Sequence, residues 1–187
     1  MVQNLPTRLK ITPEQFDAFI ALPENAEKRF EYIGGEPVEV PSNLLSSHIA
    51  ALIMVAIGIY LKSNNIGRLT GEAGTYTVGE DRYAPDVAFV SYARLPELSY
   101  QGYGTIAPDL AVEVISPTDN PHHVNRKIIN YLNAGTWVWV VYPAAQEVHV
   151  HAPEQEPYIV SLDGALNGGD VLPGFILPLS EIFAEMD

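Results

Sequence analysis

Residues 107–119 read APDLAVEVISPTD. Leu110, Ala111, Val112, Val114 and Ile115 have the composition of a short buried strand, which starts after Pro108 and stops at Pro117. Glu113 interrupts it. A lone buried carboxylate is costly unless something compensates its charge. Whatever compensates Glu113 therefore bears on both fold and function. The same opening, Ala-Pro-Asp followed by an apolar run, occurs at 84–91 as APDVAFVS. The two stretches are expected to share an X-Pro start followed by a buried strand rather than to form a structural repeat.

Working outward, a helix is expected from Pro121 to Ala134, ending at Gly135. TWVWVVYP and EVHVHA, around residues 143–146, read as a strand pair. LPGFILPLSEIF, residues 172–183, reads as a last strand followed by one helical turn. Towards the N-terminus, Arg68–Val78 reads as a glycine-bearing strand, and residues 92–106 form a long loop with the length of a functional one. The apolar run 49–61 belongs to a buried helix over Ser46–Leu61; a membrane span needs about 20 such residues. RFEYIGGEPVEV, residues 29–40, is a hairpin turning at Gly34-Gly35. Thr12, Pro13 and Gln15 begin a first helix with a capping box, and Phe16, Phe19 and Ile20 form its apolar face. The order of elements predicts one α/β (α+β) domain over residues 1–187, built on a mixed sheet.

Composition narrows the function. The chain is 47% hydrophobic, lacks cysteine and carries a formal net charge of −13. Disulfides and thiolate metal sites are excluded, and a cytoplasmic location is expected. So acidic a surface repels polyanions. After Arg94 the only Lys or Arg residues are Arg126 and Lys127. A non-specific nucleic-acid coat is therefore excluded, and any nucleic-acid activity requires a local site with metal ions or a partner chain.

If Glu113 binds a metal, Asp109 cannot share the ion, because four residues of strand span about 13 Å. The second acid must come from another strand, and Asp86 is the natural candidate. Two such acids imply a cation or a shared proton; an arginine or backbone donors satisfying Glu113 is the alternative. Val124, Lys127, Ile128 and Tyr131 share one face of the predicted helix. Lys127 either neutralises Glu113 or lays its stem over the core edge with its charge in solvent. Glu31 and Glu36 read as hairpin surface charges.

The remaining candidates are weaker. Glu147, His149 and His151 alternate along one strand face, too spread for one ion. His122 and His123 belong to a solvated helix start. His48 shares a helix face with Leu52, Val55 and Ile59, as a core or interface histidine would. Gly71, Gly74 and Gly79 do not form a phosphate-binding loop.

Taken together, FEYIGGEPVE, APDVAFVS, APDLAVEVISPTD and RKIINYLNAGTWVWVVYP resemble the Uma-type family of bacterial putative restriction endonucleases, within the PD-(D/E)xK nuclease superfamily. The likeness runs from the first helix to LPGFILPLSEIF. It implies a restriction-endonuclease-like core, a mixed central sheet flanked by helices. It also implies that Asp86 and Glu113, with the Val114 carbonyl, hold Mg²⁺ or Mn²⁺, and that Glu31 is a leading acid. The superfamily's usual lysine position is here Ile115, and Lys127 on the following helix matches the displaced lysine. The implied activity is metal-dependent hydrolysis of DNA phosphodiester bonds. The alternative is a catalytically inactive homodimeric binding or regulatory module, with helix 46–61 and WVWVVY as the dimer surface. No membrane association is expected.

Overall fold

The computed structural model describes residues 10–40, 43–98 and 103–184. Thr12 and Gln15 form the capping box of α1 (Pro13–Ile20), which buries Phe16. The hairpin is β1 (Phe30–Ile33) and β2 (Glu36–Glu39), and both turn glycines have positive φ, as a tight turn requires.

Helix α2 spans Leu44–Ser63 and is capped by Asn43. By length and composition it could cross a membrane. Instead, Ile49, Ile53 and Ile57 are fully buried in the core beneath it. The helix is buried on that face only: Leu44, Val55 and Ile59 are exposed. His48 is exposed with them and is not a core residue.

The segment expected as one glycine-bearing strand is two, β3 (Gly67–Gly71) and β4 (Tyr76–Val78), and a further short strand, β5 (Asp81–Tyr83), pairs with β4. Next come β6 (Val87–Ser91), β7 (Leu110–Val114), α3 (Pro121–Asn133), β8 (Trp137–Tyr142) and β9 (Glu147–His151). Like β5, two further strands escaped the sequence reading, β10 (Tyr158–Val160) and β11 (Ala165–Asn167). The chain closes with β12 (Ile176–Pro178) and the single turn α4 (Ser180–Phe183).

The central sheet is mixed and six-stranded, in the order β10-β9-β8-β7-β6-β3. Among the described strands of this sheet, only β7 and β8 pair in parallel, and α3 is the crossover between them. A second, antiparallel sheet runs β2-β1-β5-β4. Residues on β7 alternate between two cores. Leu110, Val112 and Val114 join the α2 side, with Trp139, Val141 and Phe175. Ala111 joins the α3 side, with Tyr83, Tyr131 and Val140. Glu113, two residues along from Ala111, therefore faces α3.

Strand β8 lies inside the sheet between β7 and β9, and Val138–Val141 have no exposed surface. WVWVVY is therefore core and not a dimer surface. The described part of the loop 92–106 is anchored at the far end of β7: the Arg94 guanidinium donates to the Pro108 carbonyl at 2.6 Å and pairs with Asp109.

Candidate active site

Strands β6 and β7 are antiparallel, with Val87 opposite Val112 and Phe89 opposite Leu110. This register sends the two Ala-Pro-Asp openings to opposite ends of the pair. Each aspartate caps its neighbour's ladder in the same way. Asp86 Oδ2 accepts from the Val114 amide at 2.7 Å, and Asp109 Oδ2 accepts from the Ser91 amide at 2.6 Å. Their surroundings differ. Asp109 meets Arg94, whereas Asp86 meets the Glu113 end of β7, as the spacing required.

Lys127 does not reach solvent. Its stem and ammonium are buried, and Nζ lies 2.5 Å from Glu113 Oε2 and 2.9 Å from Glu31 Oε1. Glu31 is accordingly buried rather than a surface charge of the hairpin; its Oε1 also accepts from the Ala84 amide at 2.8 Å. The second Glu113 oxygen, Oε1, accepts from the Tyr131 hydroxyl at 3.1 Å. Strand β1, the start of β6, the end of β7 and the buried face of α3 thus deliver Glu31, Asp86, Glu113 and Lys127 to one place. Val114 and Ile115 line it as well.

The place is a cleft of about 530 Å³. Three carboxylates surround a single ammonium at its floor. Burial, and then the neighbouring negative charges, push Asp86 up to about 6, despite the Val114 amide and Lys127. Glu113 is raised as well, by burial first, with Glu31 and Asp86 adding to it against the pull of Lys127. Burial alone would lower the Lys127 pKa; the charges of Glu113 and Glu31 outweigh it and raise it. Burial, followed by the charge of Glu113, raises the Tyr131 hydroxyl.

This donor set suits a hard divalent cation. Negative charge exceeds positive at the floor, and Asp86 and Glu113 offer the one or two carboxylates that Mg²⁺ takes from protein. Glu31 is drawn off by Lys127 and Ala84. No group of three or more His, Asp or Glu residues placed to hold a metal ion occurs among the described residues. Glu147 binds His149 directly, at 2.8 Å. His123, in the first turn of α3, lines the cleft 3.8 Å from Glu36. No described residue of the loop 92–106 lines it; residues 99–102 lie outside the described residues.

Some residues of the site were not found in the sequence. Tyr131 shares the Lys127 face one turn on, so the helical spacing had already placed it there without giving it a role. Asp81 carried no signal. It is buried, and it accepts from the Gly34 amide, the Tyr83 hydroxyl, the Arg126 guanidinium and the Asn130 amide. Arg126 and Asn130 flank Lys127 on α3, so Asp81 fixes the helix that carries the lysine.

No curated protein matches the chain. Among solved structures it is similar to a putative nuclease belonging to DUF820 from Anabaena variabilis. The two are 26% identical, with a TM-score of 0.79 over 90% of this chain and 96% of that one. A family model described as Uma2, putative restriction endonuclease, matches residues 14–180. With that match covering nearly the whole length, and a nuclease-like sheet beneath it, the chain belongs to the Uma2 putative restriction endonuclease family.

Proposed function

We propose that the protein is a Mg²⁺-dependent endonuclease that hydrolyses DNA phosphodiester bonds in this cleft, with Mn²⁺ able to replace Mg²⁺. The observation that carries the reading is the meeting of Asp86 and Glu113, from two different strands, beside a buried lysine. Asp86, Glu113 and the Val114 carbonyl would hold the ion, which when bound supplies charge stabilisation at the phosphate and a water of lowered pKa. Asp86 is oriented by the Val114 amide, and Glu113 by Tyr131 and Lys127. Lys127 places a fixed positive charge beside the acids, where developing charge on the phosphate is stabilised. Glu31 holds Lys127 from its other side and keeps it protonated.

The competing reading is a nuclease fold kept as a homodimeric binding module. It is favoured by Lys127 already satisfying both Glu31 and Glu113. The exposed Leu44, Val55 and Ile59 of α2 would supply its dimer surface. Calorimetric titration with Mn²⁺ or Mg²⁺, wild type against the Asp86→Ala/Glu113→Ala double variant, separates the two. The nuclease reading expects binding by the wild type that the double variant loses. Binding by neither protein favours the module.

A further inference from the structure

Any phosphodiester entering the cleft meets a strongly acidic lining: Glu39, Glu72 and Asp119 join the three carboxylates at the floor. Among the described residues, the Lys and Arg side chains that line it are Lys127 and Arg29. Lys127 is buried and already bonded to Glu31 and Glu113, so it acts on a phosphate through its charge rather than as the residue that first captures it. Arg29 differs in each respect. It sits at the foot of β1, where its carbonyl accepts from the Val40 amide and fixes the backbone. Its guanidinium is part-exposed and pairs with Glu72 Oε1 at 2.7 Å. Glu72 belongs to the turn after β3, is half-exposed itself, and lies near enough to Asp86 to raise its pKa.

We propose that Arg29 is a phosphate-binding residue of this cleft, and that Glu72 is the counter-ion it leaves when substrate arrives. The inference rests on the nuclease reading above. A half-exposed ion pair holds its partners weakly. A phosphodiester offers the same guanidinium two oxygens, and the planar fork of arginine matches them better than a lysine ammonium would. The first turn of α2 lines the same cleft at Ser46 and Ser47, so its partial positive charge adds to the attraction. The pair thus guards an acidic cleft: Arg29 is neutralised at rest and becomes available only when a phosphate competes for it.

The test is binding of a fluorescent mixed-sequence DNA duplex in Ca²⁺, an oxygen-seeking cation, with anisotropy followed across a salt series. Arg29→Gln is expected to weaken binding about tenfold. It should also flatten the slope of log affinity against log salt by about 0.9, the signature of one lost phosphate contact. Arg29→Lys should recover part of both. Glu72→Gln should act in the opposite direction, tightening binding several-fold, because Arg29 is then free. A merely structural ion pair predicts that Arg29→Gln and Glu72→Gln behave alike, with the wild-type slope; that result overturns the assignment and leaves the nuclease reading standing. No salt-dependent binding by the wild type overturns both.

Discussion

Asp86 and Asp109 start from the same local sequence and make the same hydrogen bond to a neighbouring strand. What separates them is company: an arginine for Asp109, two glutamates and a shared lysine for Asp86. The raised pKa of Asp86 has a consequence for stability. In the folded protein it lies at about 6, against about 3.9 in an unfolded chain. The folded state therefore holds the proton more tightly. This contribution is fully present below pH 4 and is lost as pH rises through 6. Asp86→Asn, which keeps an oxygen for the Val114 amide, should match the wild type near pH 4. Above pH 6 in EDTA it should be more stable by about 1–3 kcal/mol, while losing activity. Thermal melts at pH 4 and pH 7 check this; equal melting differences at both pH values count against it.

Lys127 behaves in the opposite way. Its removal leaves Glu31 and Glu113 buried without their cation, which costs about 3–5 kcal/mol. Lys127→Met should lower the melting temperature by roughly 6–20 °C for a chain of this length. Cleavage by this variant must therefore be assayed well below its own melting point. A variant that loses cleavage with an unchanged melt would mean that the lysine does not bear the burial seen here.

At the scale of elements, the site is a question of how α3 sits on the sheet. Asp81, on the short strand β5, grips Arg126 and Asn130 on either side of Lys127 and ties them to Gly34 in the β1–β2 turn. Asp81→Ala leaves the buried Tyr83 hydroxyl and the Gly34 amide short of an acceptor, at about 2–4 kcal/mol in total. Hydrogen exchange should then quicken along α3 and the hairpin turn, with the β8 and β9 amides protected as before. Uniform quickening across the sheet would instead mark Asp81 as a general core residue. The parallel β7-α3-β8 unit explains why a lysine fourteen residues after Glu113 in sequence can stand beside it: the crossover lays α3 back over the face of β7 that Glu113 occupies.

At the scale of the whole molecule, a net charge of −13 works against compactness and against DNA alike. Salt should stabilise the metal-free protein by screening this repulsion. Mg²⁺ at millimolar concentration should stabilise it further than NaCl of equal ionic strength, by linkage to a specific site. The surplus should vanish in Asp86→Ala/Glu113→Ala. Differential scanning fluorimetry with matched ionic strengths checks this, and an equal surplus in the double variant would assign the effect to the surface. The exposed face of α2 also belongs to this scale. Val55→Glu should leave the melting temperature within about 2 °C, since surface substitutions rarely exceed 0.5 kcal/mol. If the protein is a dimer through α2, the same change should make it monomeric by light scattering.

Where the chain carried local instructions, they were legible. The capping box of Thr12 and Gln15, the Gly34-Gly35 turn, the end of α3 at Gly135 and the alternation along β7 all follow from neighbours in sequence. The pairing of Asp86 with Glu113 was also within reach, because strand rise forbids Asp109. The three-residue strands β5 and β11 were not, since their short runs hold together only through partners distant in sequence. Nor were the burial of Glu31, the grip of Asp81 and the closed circuit through Lys127. Sequence by itself determined the longer strands and helices, their caps and their turns, because those preferences act over a few residues. Only the tertiary structure decided which of twenty-three acidic residues would share one lysine in a cleft, because charge acts through space and its cost depends on what else is buried there.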